Sequence, residues 1–141
     1  MNHKVTTRSY LPDYVANIIV HVLLLYVVSR LTTWLPFIDD GFSAVAWLLY
    51  ISYSLTIAAN IFYIFYDDHL LKALVQLALN LFSIVIFYTL LKVFPFNLEP
   101  AAKDTARIII YVILFGVSVG AFAEFIKILK IISNRVKDVH E

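Results

Sequence analysis

Four long apolar blocks, separated by short polar breaks, constrain this chain more than any other feature. The blocks cover residues 14–35, 42–66, 70–94 and 108–132. Each reaches the length of about 20 apolar residues that a helix needs to cross a hydrocarbon core about 30 Å thick. None shows the strict apolar–polar alternation of a membrane β-barrel strand. Because backbone N–H groups in lipid must be satisfied within their own segment, the blocks predict four transmembrane helices.

Composition argues against the soluble alternatives. Hydrophobic residues make up 62% of the chain and charged residues 15%, whereas soluble domains average about 45–50% and about 25%. A water-soluble globule of this size could not cover so much apolar surface with so few charges. The net charge of +1 provides no basic field for nucleic acid. The absence of cysteine excludes disulfides, thiolate metal sites and cysteine nucleophiles.

The predicted fold is all-α, with residues 1–141 forming one polytopic membrane domain. We expect an antiparallel bundle of four transmembrane helices with short polar termini. Pro36 and Gly41 break the first pair of blocks, and Pro95 and Pro100 break the last pair. The connection at 67–69 is so short that the second and third helices must be antiparallel neighbours.

Lysine and arginine predict how the bundle is oriented. With four spans, both termini lie on the same side as the second connection, and that side has seven of the 11 basic residues. The positive-inside rule therefore favours cytoplasmic termini. We expect the membrane to be that of a bacterial or archaeal cell. The seven residues are Lys4, Arg8, Lys72, Lys127, Lys130, Arg135 and Lys137, against Arg30, Lys92, Lys103 and Arg107 on the other side.

Polar side chains recur four residues apart within the spans, which places them on one face of each helix. At 1.5 Å per residue they lie roughly 5–15 Å inside the cytoplasmic boundary. Helices of opposite direction would thus bring amides, an imidazole and a carboxylate to one layer. We predict a single intramembrane polar site, formed by Glu124, His21, Asn17, Asn60, Gln76 and Asn80.

Each of these residues also has a structural interpretation. Asn and Gln in membrane helices commonly act as hydrogen-bonding glue between helices, and a membrane histidine can be a neutral, hydrogen-bonded core residue. An acid in a span is costly and normally has a partner. Glu124 either pairs with Lys127 or Lys130 near the interface, or reaches inward to His21 or Asn60 as part of an ion or proton path.

Two further patterns concern the packing of the helices. Gly116 and Gly120 have the spacing that permits close approach of membrane helices, so we assign them to helix packing. A shift of 59 residues aligns Asn17 with Gln76, His21 with Asn80, and the Pro-Phe pair 36–37 with that at 95–96. The two hairpins are thus either repeated copies related by an axis along the membrane normal, or two ordinary hairpins with similar turns.

No sequence motif indicates catalysis. Nucleotide-binding, hydrolase and zinc motifs are missing, and His21 alone cannot supply the ligand pair of a haem, so we expect no enzyme, metal or cofactor. We predict a transporter or channel subunit that uses the polar layer, with the lipid bilayer and a second copy or another membrane protein as partners. The alternative is a non-catalytic accessory or scaffolding subunit with a dry core.

Overall fold

The chain is a multi-pass membrane protein built from four helices. The computed structural model describes residues 11–66 and 68–138, so Lys4, Arg8 and Asp67 lie outside the described residues, as does the side chain of Lys137. Each helix is long and apolar enough to cross a membrane. The helices are α1 (Leu11–Trp34), α2 (Phe42–Phe65), α3 (His69–Val93) and α4 (Pro100–Asp138).

The fourth helix is longer than the sequence indicates. The apolar block predicts a span over residues 108–132, but α4 runs over 39 residues, Pro100–Asp138, or about 58 Å at 1.5 Å per residue. Pro100 suits the first helical position because its missing N–H would have no partner there. The turns added at the start of α4 contain Lys103 and Arg107. Because these residues are charged, hydropathy does not assign their turns to a transmembrane helix. The other three helices agree with the predicted spans to within a few residues.

The helix ends have identifiable stop and start signals. The side chain of Asp68 caps α3 by accepting hydrogen bonds from the backbone N–H of Leu70 at 2.6 Å and of Leu71 at 3.2 Å. At its other end α3 stops at Phe94, which adopts a left-handed conformation with φ of 39°. Pro95 follows directly and cannot continue the hydrogen-bonding pattern. These signals set where α3 begins and ends, and therefore where the second connection ends and the third begins.

The helices pack in chain order. Helix α1 packs against α2, α2 against α3, and α3 against α4. Tyr14 meets Tyr63 at a ring-centroid distance of 5.8 Å, and His21 meets Tyr53 at 5.6 Å, which sets the register of α1 on α2. Within the described residues, no Cα atom of α1 lies within 8 Å of one in α4. Helices α1 and α4 are therefore the two ends of an open row.

An apolar core closes the end of the molecule where the first and third connections lie. It is formed by Val28, Ile38, Phe42, Val45 and Ile86. The two connections contact each other directly, because the backbone N–H at 39 donates to the carbonyl at 95 (3.0 Å) and that at 97 donates to the carbonyl at 37 (2.7 Å). The two Pro-Phe turns thus form one cap over this end of the helices.

The repeat stays a prediction. Pairing of the two Pro-Phe turns agrees with it, but a two-fold relation of the hairpins would match the α2–α3 contact with an α4–α1 contact. The described parts of α1 and α4 make no such contact.

Gly116 does not have the packing role that its spacing predicts within this chain. A Cβ at Gly116 would have no atom within 4 Å, whereas one at Gly120 would lie 3.6 Å from Asn80 Nδ2, an ordinary contact. Gly116 and Gly120 lie on one face of α4, and the described residues approach that face closely near Gly120 but not near Gly116.

Candidate functional site

A polar cavity of about 690 Å³ lies in the half of the molecule that contains the start of α1 and the second connection. All four helices line it. The structure brings to this cavity each of the six residues that the sequence assigns to the polar site, namely Asn17, His21, Asn60, Gln76, Asn80 and Glu124. The functional assignment of the six residues stays a prediction.

The six residues differ in how deeply they are embedded. Asn60 on α2 is buried, with 6% of its surface exposed. His21, Asn80 and Glu124 are half-buried, and Asn17 and Gln76 are exposed. Of the six residues, the one on α2 is therefore the most deeply embedded. No Cα atom of α1 lies within 8 Å of one in α4, so these two helices line the cavity without packing closely against each other.

The amide side chains of the cavity do not join one helix to another. Asn60 donates through Nδ2 to the carbonyl of Thr56 at 2.8 Å, and Gln76 donates through Nε2 to Asn80 Oδ1 at 3.3 Å. Thr56 in turn donates to the carbonyl of Ser52 at 2.9 Å. All of these bonds stay within one helix, to a backbone carbonyl for Asn60 and Thr56 and to a side chain for Gln76, and the residues line the cavity.

The histidine is held by its own helix too. Nδ1 of His21 lies 2.7 Å from the backbone carbonyl oxygen of Asn17. Because a carbonyl oxygen can only accept, Nδ1 has the proton, and in the neutral ring Nε2 is the basic nitrogen. The ring edge packs on Tyr53. His21 therefore presents a proton-accepting nitrogen from a fixed ring position.

A lysine and two tyrosines form the outer rim of the cavity. Lys72 on α3 donates a hydrogen bond to the hydroxyl of Tyr14 on α1. Its Nζ lies 5.0 Å from the ring centroid of Tyr14 and 5.8 Å from that of Tyr63, within the range of cation–π attraction. This rim joins three helices, and in the described residues its Lys72–Tyr14 bond is the one hydrogen bond between helices in the cavity.

Glu124 is the acid of the site. Its Oε2 atom is buried without a hydrogen-bond partner, and Lys127 Nζ lies 3.4 Å away, at ion-pair distance but outside hydrogen-bond geometry. Of the two alternatives, the structure has the pairing with Lys127 and no hydrogen bond to His21 or Asn60. The Lys127 side chain is 57% exposed, so solvent screens this pair and weakens it.

An ion pair ties the second connection to α4 just outside the cavity. Arg135 Nη2 lies 3.2 Å from Asp68 Oδ2. The pKa of Asp68 lies below its ordinary value, first because the backbone N–H groups of Leu71 and Leu70 donate to the carboxylate and then because Arg135 bonds to it. The carboxylate thus remains charged and continues to cap α3.

Sequence reasoning missed the aromatic part of the cavity wall. Tyr53 and Tyr63 lie on the same face of α2 as Thr56 and Asn60, at positions 3 or 4 residues apart along the helix. That spacing could have identified them. Tyrosines near membrane interfaces are so common, however, that the pattern alone does not distinguish a cavity wall from an interfacial belt.

The described residues contain no group of three or more His, Asp or Glu that could hold a metal ion. What the cavity offers is hydrogen-bonding groups, aromatic faces and one acid. Comparison with known proteins finds no matching family model, no matching curated protein and no matching solved structure.

Proposed function

We propose that this protein is a transporter or channel subunit whose polar cavity forms part of the path across the membrane. One observation carries the proposal: four helices direct their intramembrane polar residues to one cavity of about 690 Å³. This volume lies within the range of about 300–1,000 Å³ that is typical of small-molecule sites. Polar groups in a membrane are costly and are found mainly where they line a path or pair with one another.

The hydrogen bonds favour this function over that of an accessory subunit with a dry core. Residues that act as glue would bond across helix boundaries. Here the amides of Asn60 and Gln76 bond within their own helices. Glu124 has a buried oxygen without a hydrogen bond, an arrangement that water, a proton or a ligand in the cavity would complete.

The proposal includes an antiparallel bundle with both termini on the cytoplasmic side. Tyr14 at the start of α1 meets Tyr63 near the end of α2, and Asp68 before α3 meets Arg135 near the end of α4. These pairs support opposite directions for neighbouring helices. The cavity would then open towards the cytoplasm, on the side that has most of the basic residues. Tags at the two termini that report opposite sides of the membrane would contradict this orientation.

A flux assay in proteoliposomes tests the function. With a pH-sensitive dye inside, ion gradients are applied across the membrane and proton or ion movement is followed. We expect movement that falls at least tenfold in the Glu124→Gln variant, because the amide cannot bind and release a proton or balance a cation. The matched control is Glu99→Gln, the same change at an exposed acid outside the helices.

The controls separate the two functions. Equal flux in the wild type and in Glu99→Gln, together with loss in Glu124→Gln, supports a path through the cavity. Vesicles that stay tight under every gradient would contradict the transport function and favour the accessory role. Both variants should elute from a sizing column like the wild type, so that loss of flux is not loss of folding.

A further inference from the structure

A second cavity, of about 330 Å³, lies next to the polar cavity and towards the paired Pro-Phe turns. Its wall is largely apolar and includes Phe42, Leu49 and Ile86. Three residues, Ser52, Tyr53 and Ser83, line both cavities. The two spaces therefore adjoin at these residues, with the polar cavity on one side and the apolar cavity on the other.

The chemistry of the combined wall changes in order along the helix axes. Lys72 lies at the rim, and Ser83 at the junction lies 11 residues further along α3, about 16 Å deeper. On α4, Lys127 is nearest the rim and Glu124 is one turn deeper. Beyond the junction the wall is apolar. Along this axis the order is thus ammonium groups, a layer that contains the carboxylate, the amides and the imidazole, then hydroxyls and finally hydrocarbon.

A molecule that matches this order has a polar head and one apolar tail. The head would lie at the level of Glu124, whose buried Oε2 lacks a hydrogen bond and therefore favours a donor. An ammonium group is already found beside this carboxylate, since Lys127 Nζ lies 3.4 Å away. Because the Lys127 side chain is more than half exposed, it can turn outward and leave the position to a ligand. The tail would extend past Ser83 into the apolar cavity.

We propose that the two cavities form one binding site for a single-chain amphiphile with a hydrogen-bond-donating head, of which a linear alkylamine is the simplest example. Helices α1 and α4 are not closely packed against each other, and a lateral route from the bilayer would pass between them. This inference rests on the cavity of the proposed function and names a class of ligand that binds there. It uses the same cavity but needs no movement of the ligand across the membrane.

Protection of a single cysteine tests the site, because the natural chain has no cysteine. The reporter is Ser83→Cys, a near-isosteric change at the junction, in protein embedded in lipid nanodiscs. A small methanethiosulfonate reagent labels the thiol in the presence of linear alkylamines, alkanols or alkanoates of increasing length. The concentration that halves the labelling rate gives the affinity of each compound.

We expect amines to protect better than alkanols or alkanoates of equal length. Each added methylene should lower the half-protecting concentration, measured as free amphiphile in water, about fourfold, until the apolar cavity is filled and the series levels off. Adding Glu124→Gln should raise the half-protecting concentration of amines at least tenfold and leave that of alkanols unchanged. Partition of the amines into lipid is the same in both proteins and cancels from this comparison.

A second pair of variants tests whether the apolar cavity holds the tail of the ligand. Leu49→Trp, or Leu49→Phe where the larger ring prevents folding, fills the apolar cavity and should abolish the gain from longer chains. The proposal is overturned by equal protection from amines and alkanols, by stronger protection from alkanoates, or by an unchanged chain-length series in the filled variants. Failure of S83C to react would also overturn it, because the junction would then be closed. Protection without flux would retain the binding site and remove the transport function.

Discussion

Single residues determine how the polar side chains of the cavity are oriented. Asn60 and His21 use their own helix as hydrogen-bond partner, so their hydrogen bonds need no second helix. The ring of His21 is also held by its contact with Tyr53 on α2. Glu124 differs, since one of its oxygens is buried without a hydrogen bond. The sequence predicts that these side chains share a layer, because helical periodicity and depth can be calculated from position. The internal hydrogen bonds cannot be predicted in this way, because each amide has several acceptors within reach.

The stability of the protein should depend on pH through Asp68. Hydrogen bonds from Leu71 and Leu70 and the contact with Arg135 lower the pKa of this carboxyl. A carboxyl with a lowered folded-state pKa stabilises the fold at pH values above its ordinary pKa, and this stabilisation is lost as the pH falls through the folded-state value. Thermal unfolding in detergent, followed from neutral pH down to about pH 3, should show this loss.

Two variants identify the group responsible for that loss. Asp68→Asn retains a good N-cap but has no charge to titrate. We therefore expect its unfolding temperature to depend less on pH than that of the wild type, and to lie between those of the wild type and Asp68→Ala at neutral pH. Asp68→Ala loses the cap as well and should be the less stable of the two at neutral pH. An acid-dependent loss of the same size in Asp68→Asn would assign the effect to another group.

At the scale of helices, the hydropathy of the sequence predicts α1, α2 and α3 well and α4 incompletely. The polar turns around Lys103 and Arg107 continue the helix outside the hydrocarbon, where hydropathy gives no signal. Both side chains lie over the ring of Phe94, at 5.6 Å and 4.9 Å from its centroid. Contacts of this kind depend on the third connection folding back on α4, which the sequence pattern does not reveal.

The glycines of α4 should tolerate alanine. A methyl group would meet nothing within 4 Å at Gly116 and would lie 3.6 Å from Asn80 Nδ2 at Gly120. Because alanine favours a helix over glycine by about 1 kcal/mol, Gly116→Ala should leave the free energy of unfolding unchanged or raise it by up to about 1 kcal/mol. Chemical unfolding in detergent measures this, and a clear loss of stability would instead indicate that Gly116 contacts a second copy of the chain.

The apolar core at the other end of the helices should be far less tolerant. Phe42 is 4% exposed and packs in the cluster with Val45 and Ile86. Truncation of a buried Phe typically costs about 3–5 kcal/mol, so Phe42→Ala should lower the free energy of unfolding by roughly that amount. Phe62→Ala, on the exposed face of the same helix, is the matched control and should cost much less in the same unfolding experiment.

At the scale of the whole molecule, the chain combines a packed apolar end with an open polar end. The paired Pro-Phe turns close the apolar end, and at the polar end α1 and α4 line the cavity without packing closely against each other. Hydropathy and periodicity predict the number of helices and the shared depth of the polar residues. The open row could not be predicted from them, because both patterns describe single helices and contain no information on which pairs meet.

A path through the polar cavity requires that the cavity is filled with water and accessible from the side of the termini. Single cysteines in this cysteine-free chain test it most directly, with a membrane-impermeant thiol reagent added to each side of the membrane in turn. Ala123 lines the cavity, and its neighbour Phe122, at the same depth, is 65% exposed on the surface of α4. We predict that Ala123→Cys reacts rapidly from the side of the termini and that Phe122→Cys stays unreactive in lipid. Equal reactivity of the two variants, or no reaction at Ala123→Cys from that side, would contradict a water-filled cavity.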